Sequence, residues 1–336
     1  MDALDLPIRP RRLRRTSALR TVVRETHLRP EHLVYPLFVH AGSADEPIAA
    51  MPGQTRWSLA GLAAEAARAR ALGIRAVALF PKVDERLKTE DGRESWNPKG
   101  LVPEALAAVK RAAPDLLVIT DVALDPYNSD GHDGIVTARG VVDNDASVAA
   151  LCRQACMQAA AGADFVAPSD MMDGRIGAIR RALDAEGFTD TGILSYAAKY
   201  ASAFYGPFRS ALDSAPRVAG AKPIPKDKQT YQMDPANGRE ALREAAIDEG
   251  EGADILMVKP AGAYLDIISA LHQSSLLPIA AYQVSGEYAM LVRAAEAGAV
   301  DLKAGVLESL LGIRRAGADL IFTYFAPQAA AWLCEE

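Results

Sequence analysis

The chain has 336 residues, enough for two average domains or one large α/β barrel. Half of the residues are apolar, 24% are charged and the net charge is -6, which suits a globular protein with a sizeable core and argues against a general nucleic-acid binder. Three cysteines imply no disulfide framework, and no apolar run approaches the ~18 residues of a membrane span, so a reducing, cytoplasmic setting without membrane contact is expected.

The N-terminal stretch "MDALDLPIRPRRLRRTSALR" clusters Arg9, Arg11, Arg12, Arg14 and Arg15. It has no apolar core of a secretory signal. Because the rest of the chain is acidic, residues 1–30 are read as an arm that grips a partner rather than nucleic acid. Residues 31–336 then form one catalytic domain.

Eight short apolar runs follow in order: "LVYPLFVH" (33–40), "AVALFP" (76–81), "LLVITDVAL" (116–124), "DFVAPS" (164–169), "GILSYA" (192–197), "ILMVKP" (255–260), "PIAAYQV" (278–284) and "LIFTYF" (320–325). Each is bounded by turn signals, as strands are. Helical patterns lie between most of them. "WSLAGLAAEAARARALG" has Ser58 as its N-cap and Gly73 as its stop. "GAD" occurs at 162–164, 252–254 and 317–319, each time after a helix and before a strand, as one connection reused. Eight strands alternating with helices predict a closed (β/α)8 TIM barrel. The open doubly wound rival would want a Gly-rich phosphate fingerprint after its first strand, and "LFVHAGSADE" has none.

A barrel carries its chemistry at the C-terminal ends of its strands. Strand two ends in Lys82. Strand three runs into "DVALDPYNSDGHDG" (121–134), where Asp121, Asp125, Asp130 and Asp133 share a turn-rich loop with His132. That loop suits a metal site, an acid/base site or a solvated turn. Strand four ends in "APSDMMDGR" with Ser169, Asp170 and Asp173; strand five reaches Lys199, strand six Lys259, strand seven Ser285 and strand eight Tyr324. Burial after an apolar strand disfavours the charged form of Lys259, and a neutral amine can attack a carbonyl to form a Schiff base. An ion pair at the barrel mouth is the rival reading. Lys199 nearby would depress the amine further. The long segment 200–238 holds Arg209, Lys222, Lys226 and Lys228. A basic lid suggests an anionic substrate, and the fork of Arg209 suits a carboxylate.

At these residues the chain closely resembles the porphobilinogen synthase (5-aminolevulinate dehydratase) family. The likeness runs over nearly the whole chain, through "APSDMMDGR", "SYAAKYASAFYGPFR", "TYQMDPAN", "MVKPAGAYLDI", "AYQVSGEYAM" and "RAGADLIFTYF". It implies a barrel lyase of haem and tetrapyrrole biosynthesis that condenses two molecules of 5-aminolevulinate to porphobilinogen with loss of two waters. By the resemblance, Lys259 and Lys199 are the two Schiff-base lysines, on the propionate and acetate sides. Arg209 and Lys228 clamp the acetate-side carboxylate, Ser285 and Tyr324 hold the propionate-side one, and Gln232 and Ser169 line the pocket. Asp121 and Asp133 are the candidates for proton handling.

In many relatives three cysteines of the loop bind zinc; here those positions are Ala123, Asp125 and Asp133. Oxygen ligands at Asp125 and Asp133 favour Mg²⁺ or no tightly held metal, so zinc is not expected. Two close carboxyls without a metal are expected to titrate apart. Asp130 stands where many relatives have histidine. Glu244 matches the residue that holds an allosteric Mg²⁺ in bacterial relatives, and the arm matches the segment through which the family forms homo-octamers, with hexamers as the other assembly. Two rivals remain open on physics alone: a Schiff-base aldolase acting on a phosphorylated sugar, and a nucleic-acid-binding scaffold using the arm.

Overall fold

The apolar runs become strands wherever expected. In the computed structural model, which describes residues 6–216 and 222–335, the barrel strands are β1 (Leu33–His40), β2 (Ala76–Lys82), β3 (Leu117–Val122), β4 (Phe165–Pro168), β5 (Gly192–Lys199), β6 (Ile255–Lys259), β7 (Ile279–Gln283) and β8 (Leu320–Thr323). Neighbours pair in parallel around the ring, and β8 closes on β1 through Leu33–Ile321 and Val34–Phe322. Parallel strands covered on both faces read as continuous apolar runs rather than alternating ones. β1 is accordingly buried along its full length.

The helices are α1 (Ser17–Val22), α2 (Leu59–Ala71), α3 (Leu101–Ala112), α4 (Asn144–Ala160), α5 (Arg175–Ala185), α6 (Gly206–Leu212), α7 (Arg239–Gly250), α8 (Leu265–Ser274), α9 (Ser285–Glu296), α10 (Leu302–Ala316) and α11 (Ala326–Cys334). Ser58 caps α2 by accepting the Gly61 N–H, and Gly73 follows it at φ +86°. None of the described helices is long and apolar enough to cross a membrane.

The three "GAD" turns share one mechanism. Gly162, Gly252 and Gly317 adopt φ of +98°, +103° and +120°, which favours glycine. The aspartate then reaches sideways instead of capping its own strand: Asp164 accepts the Val118 N–H at 2.6 Å, Asp254 that of Ile193 at 2.7 Å, and Asp319 that of Ile279 at 3.1 Å. Each carboxylate thus ties the start of the preceding strand, fixing register at the barrel's N-terminal end.

Residues 6–32 lie outside the barrel and carry a 3-10 turn (Pro10–Arg14) and α1, neither with a buried residue. The stretch 1–5 of the expected arm and the part of the long segment around Arg217 fall outside the described residues. The segment after β5 contains α6, which ends at Asp213 with φ +51°.

Candidate active site

β5 and β6 end in register, so Lys199 and Lys259 stand side by side at the mouth. One cavity there is lined by both lysines with Asp121, Asp125, Ser169, Arg209, Lys228 and Gln232. Eight residues singled out from sequence, scattered over more than a hundred positions, therefore converge. Tyr205, Phe208 and Ser214 from the segment after β5 complete the lining.

Lys259 sits in an aromatic box. Its Nζ is 4.4 Å from the Tyr282 ring centroid, 5.0 Å from Phe208, 5.1 Å from Tyr196 and 5.4 Å from Tyr205. Ring faces attract an ammonium, but loss of water costs the charged form more. Burial first, then the charge of Lys199, push the Lys259 amine down to about 7.

Lys199 has polar company instead. Its Nζ donates to the Ser169 carbonyl and lies 3.4 Å from Asp133 Oδ2. Asp133 also pairs with Lys228 at 2.9 Å, and Lys228 reaches Asp125 at 3.2 Å. Burial works against the Asp133 carboxylate, but Lys199 and Lys228 outweigh it and hold the group well below the usual carboxylate range. Asp125 is instead raised, by burial and the charge of Asp133 against the pull of Lys228. The surroundings thus shift the two carboxyls in opposite directions. Asp121 is raised to about 7 by burial and by Asp125. Its Oδ1 is buried with no hydrogen-bond partner, and the residue lines the cavity.

The sequence left Mg²⁺ or no tightly held metal open at Asp125 and Asp133, and the side chains bear on that choice. The Lys228 ammonium takes the place between the two carboxylates, Ala123 offers no donor, and no group of three or more His, Cys, Asp or Glu converges as a ligand set among the described residues. As arranged, these residues do not fit a metal, and no step below is routed through one.

Four expected residues lie apart from the cavity lining: Asp133, just behind it against Lys199 and Lys228, and Ser285, Tyr324 and Glu244. Ser285 Oγ, at the start of α9, accepts the Phe208 N–H at 2.9 Å. Tyr324 Oη is 3.0 Å from Tyr282 Oη, with its ring stacked on Phe38. Glu244, on α7, lines a separate acidic groove with Asp173, Asp234 and Glu240. Burial and Asp248 raise its carboxyl above the ordinary value. The aromatic box itself escaped the sequence reading, although "AFYGPF" places Tyr205 and Phe208 three apart, the spacing that sets two rings on one helical face.

Fold and site define a class: a (β/α)8 barrel with paired lysine amines side by side at its mouth. Comparison narrows it. The chain belongs to the delta-aminolevulinic acid dehydratase family, whose model matches residues 7–332. It is 59% identical over 338 residues to the chloroplastic delta-aminolevulinic acid dehydratase of Physcomitrium patens, covering 100% of this chain and 76% of that protein. The Arabidopsis thaliana chloroplastic enzyme 1 is 57% identical, over 99% and 76%. Among solved structures, the Toxoplasma gondii ME49 delta-aminolevulinic acid dehydratase (porphobilinogen synthase), in complex with the reaction product porphobilinogen, superposes with a TM-score of 0.95 at 54% identity, over 99% of this chain and 93% of that one. These relatives are named chloroplastic, which overturns the cytoplasmic expectation. A low cysteine count constrains redox chemistry, not compartment, which is why the inference failed.

Proposed function

We propose that this chain condenses two molecules of 5-aminolevulinate into porphobilinogen, releasing two waters, as a lyase of tetrapyrrole synthesis. The observation that carries this is the register pair Lys199 and Lys259, two amines in unlike surroundings within one cavity. Two identical substrates with different fates need two unlike half-sites.

The Lys259 amine attacks the ketone carbon of one substrate; the carbinolamine loses water and an imine forms. Lys199 does the same for the second; these are the two waters released, and both lysine C–N bonds break again as the C–C and C–N bonds of the pyrrole form, which returns the two free amines. Protonation of the imine acidifies the neighbouring C–H, and Asp121, with its free oxygen, accepts that proton. Arg209 takes the acetate-side carboxylate. An ammonium has three N–H donors, and Lys228 spends two on Asp125 and Asp133, leaving the third for the same carboxylate. Asp133, ion-paired as a carboxylate, orients Lys199 and Lys228 in this scheme and returns a proton only when those cations withdraw. Ser169 and Gln232 line the pocket. Ser285 and Tyr324 serve the propionate side, for which Ser285 must release the Phe208 N–H and Tyr324 must turn from Tyr282.

The proposal extends to assembly. The basic residues 6–30 suit the acidic surface of a second copy, giving homo-oligomers of the octamer or hexamer kind. Glu244 and its acidic groove suit a hydrated Mg²⁺, which commonly keeps several waters; such an ion would act on assembly rather than on the reacting atoms.

The test adds 5-aminolevulinate to the protein, develops the pyrrole colour, and traps imines with borohydride before peptide mapping. Pyrrole and adducts on Lys259 and Lys199 are expected. No pyrrole, or labelling confined to other lysines, rejects the reading.

A further inference from the structure

The aspartate-rich loop lies between two limbs of the segment that follows β5. One limb ends at residues 213–216. Gly131 meets it at φ +73°, and any Cβ there would run into the Ala215 carbonyl. The other limb is residues 222–231. His132 reaches the Pro225 carbonyl at 2.9 Å and the Tyr231 hydroxyl at 3.0 Å, and the Asp133 N–H donates to that hydroxyl at 3.3 Å. Lys228 crosses to Asp125 and Asp133 on the cavity side. The outermost tie is Lys222 Nζ to Asp130 Oδ2 at 2.9 Å.

That last pair stands apart from the protein's ordinary surface ion pairs. Its side chains are only 19% and 9% exposed, so water and salt screen it weakly. Its acid is pre-set: the Asp130 N–H donates to Asn128 Oδ1 at 2.6 Å, and Asn128 is itself anchored by its amide to the Glu90 carbonyl. Glu90 offers Lys222 only a distant, exposed second contact at 3.8 Å. Neither Asp130 nor Lys222 lines the cavity. The loop they join, however, supplies Asp125, and the limb they join supplies Lys228.

We propose that Asp130 and Lys222 are positioning residues: their ion pair latches the 222–231 limb onto the aspartate-rich loop and so sets how firmly the cavity retains substrate. The kinetic part rests on the function proposed above; the latch does not. Breaking it loosens the limb that carries Lys228, which acts on binding before it acts on chemistry.

The experiment compares Asp130→Asn, Lys222→Gln, the exchanged pair Asp130→Lys with Lys222→Asp, and Glu90→Gln in the full chain. Amide hydrogen exchange is followed in peptides covering 126–134 and 222–233, and KM and kcat are measured for 5-aminolevulinate. Each single variant at the latch is expected to speed exchange in both peptides and raise KM by about tenfold, with kcat within about twofold. The exchanged pair recovers most of both, and Glu90→Gln behaves as the parent. Unchanged exchange in both single variants overturns the proposal. So does a fall in kcat at constant KM, or equal loosening by Glu90→Gln. If Asp130→Asn fails to fold, Lys222→Gln carries the test. If no variant and no parent makes a pyrrole, the exchange data still decide the latch while the functional reading fails separately.

Discussion

Lys259 and Lys199 are the same residue at paired positions of adjacent strands, yet their surroundings differ in kind. Four aromatic rings enclose Lys259, and its amine is pushed to about 7. Lys199 is bound to a backbone carbonyl and to Asp133, which is shared with Lys228. Under the proposed reaction, one side chain then makes two half-sites: desolvation readies a nucleophile on one strand, and an ionic nest orients an amine on the next.

The strongest way to break that contrast is to remove each amine. Lys259→Met and Lys199→Met should each lower kcat/KM by roughly 10⁴ or more, as loss of a covalent nucleophile does. Under brief borohydride trapping at pH 7, parent protein should be labelled on Lys259 before Lys199. Faster labelling of Lys199 would reverse the assignment of roles. Next in size is Asp121→Asn, expected to cost about 10²–10⁴ in kcat, the usual worth of a general base, with imine trapping at Lys259 preserved. Loss of trapping along with turnover would show that Asp121 supports the amine rather than moving the proton.

A smaller effect tests the titration. The Lys259 amine and the Asp121 carboxyl both titrate near 7 and both act deprotonated, so kcat/KM should fall below about pH 7 along a limb steeper than one proton. Asp121→Asn should leave a one-proton limb. Lys199→Met removes the second cause of the depressed amine, so trapping at Lys259 in that variant should require higher pH. A limb that does not move removes Lys199 from the account.

Much of this was legible in sequence because strand ends are marked by composition. Continuous apolar runs located β1 to β8, and whatever polar residue ended a run had to face the mouth, which delivered Lys199, Lys259 and the aspartate loop. Turn glycines located the "GAD" connections, but the sideways reach of Asp164, Asp254 and Asp319 depends on which strand lies alongside, and local pattern carries no such information. For the same reason Lys228 was read as a substrate clamp, while its place between Asp125 and Asp133 emerged only from two loops meeting in space. The aromatic box was hidden because Tyr196 and Tyr282 look like ordinary strand residues. Only closure of the barrel turns them onto Lys259.

The smallest effect separates the two lysines by sign. A lysine held near 7 when folded and near 10.4 when unfolded takes a proton more readily unfolded, so it destabilises the fold, fully below pH 7 and progressively less as pH rises towards 10. Met fills the same volume, and its thioether suits aromatic neighbours. Lys259→Met should therefore raise the thermal midpoint, by a few degrees at pH 6 for a chain of this size, and by less at pH 9. Lys199→Met should do the opposite. It strands the Ser169 carbonyl and leaves Asp133 to Lys228 alone, a loss on the order of 1–3 kcal/mol for an unpaired buried acceptor. Calorimetry at both pH values reads the two shifts directly. Opposite signs confirm that one amine is stored at the expense of stability and the other is part of what holds the mouth together; equal signs mean that the half-sites differ less than their geometry implies.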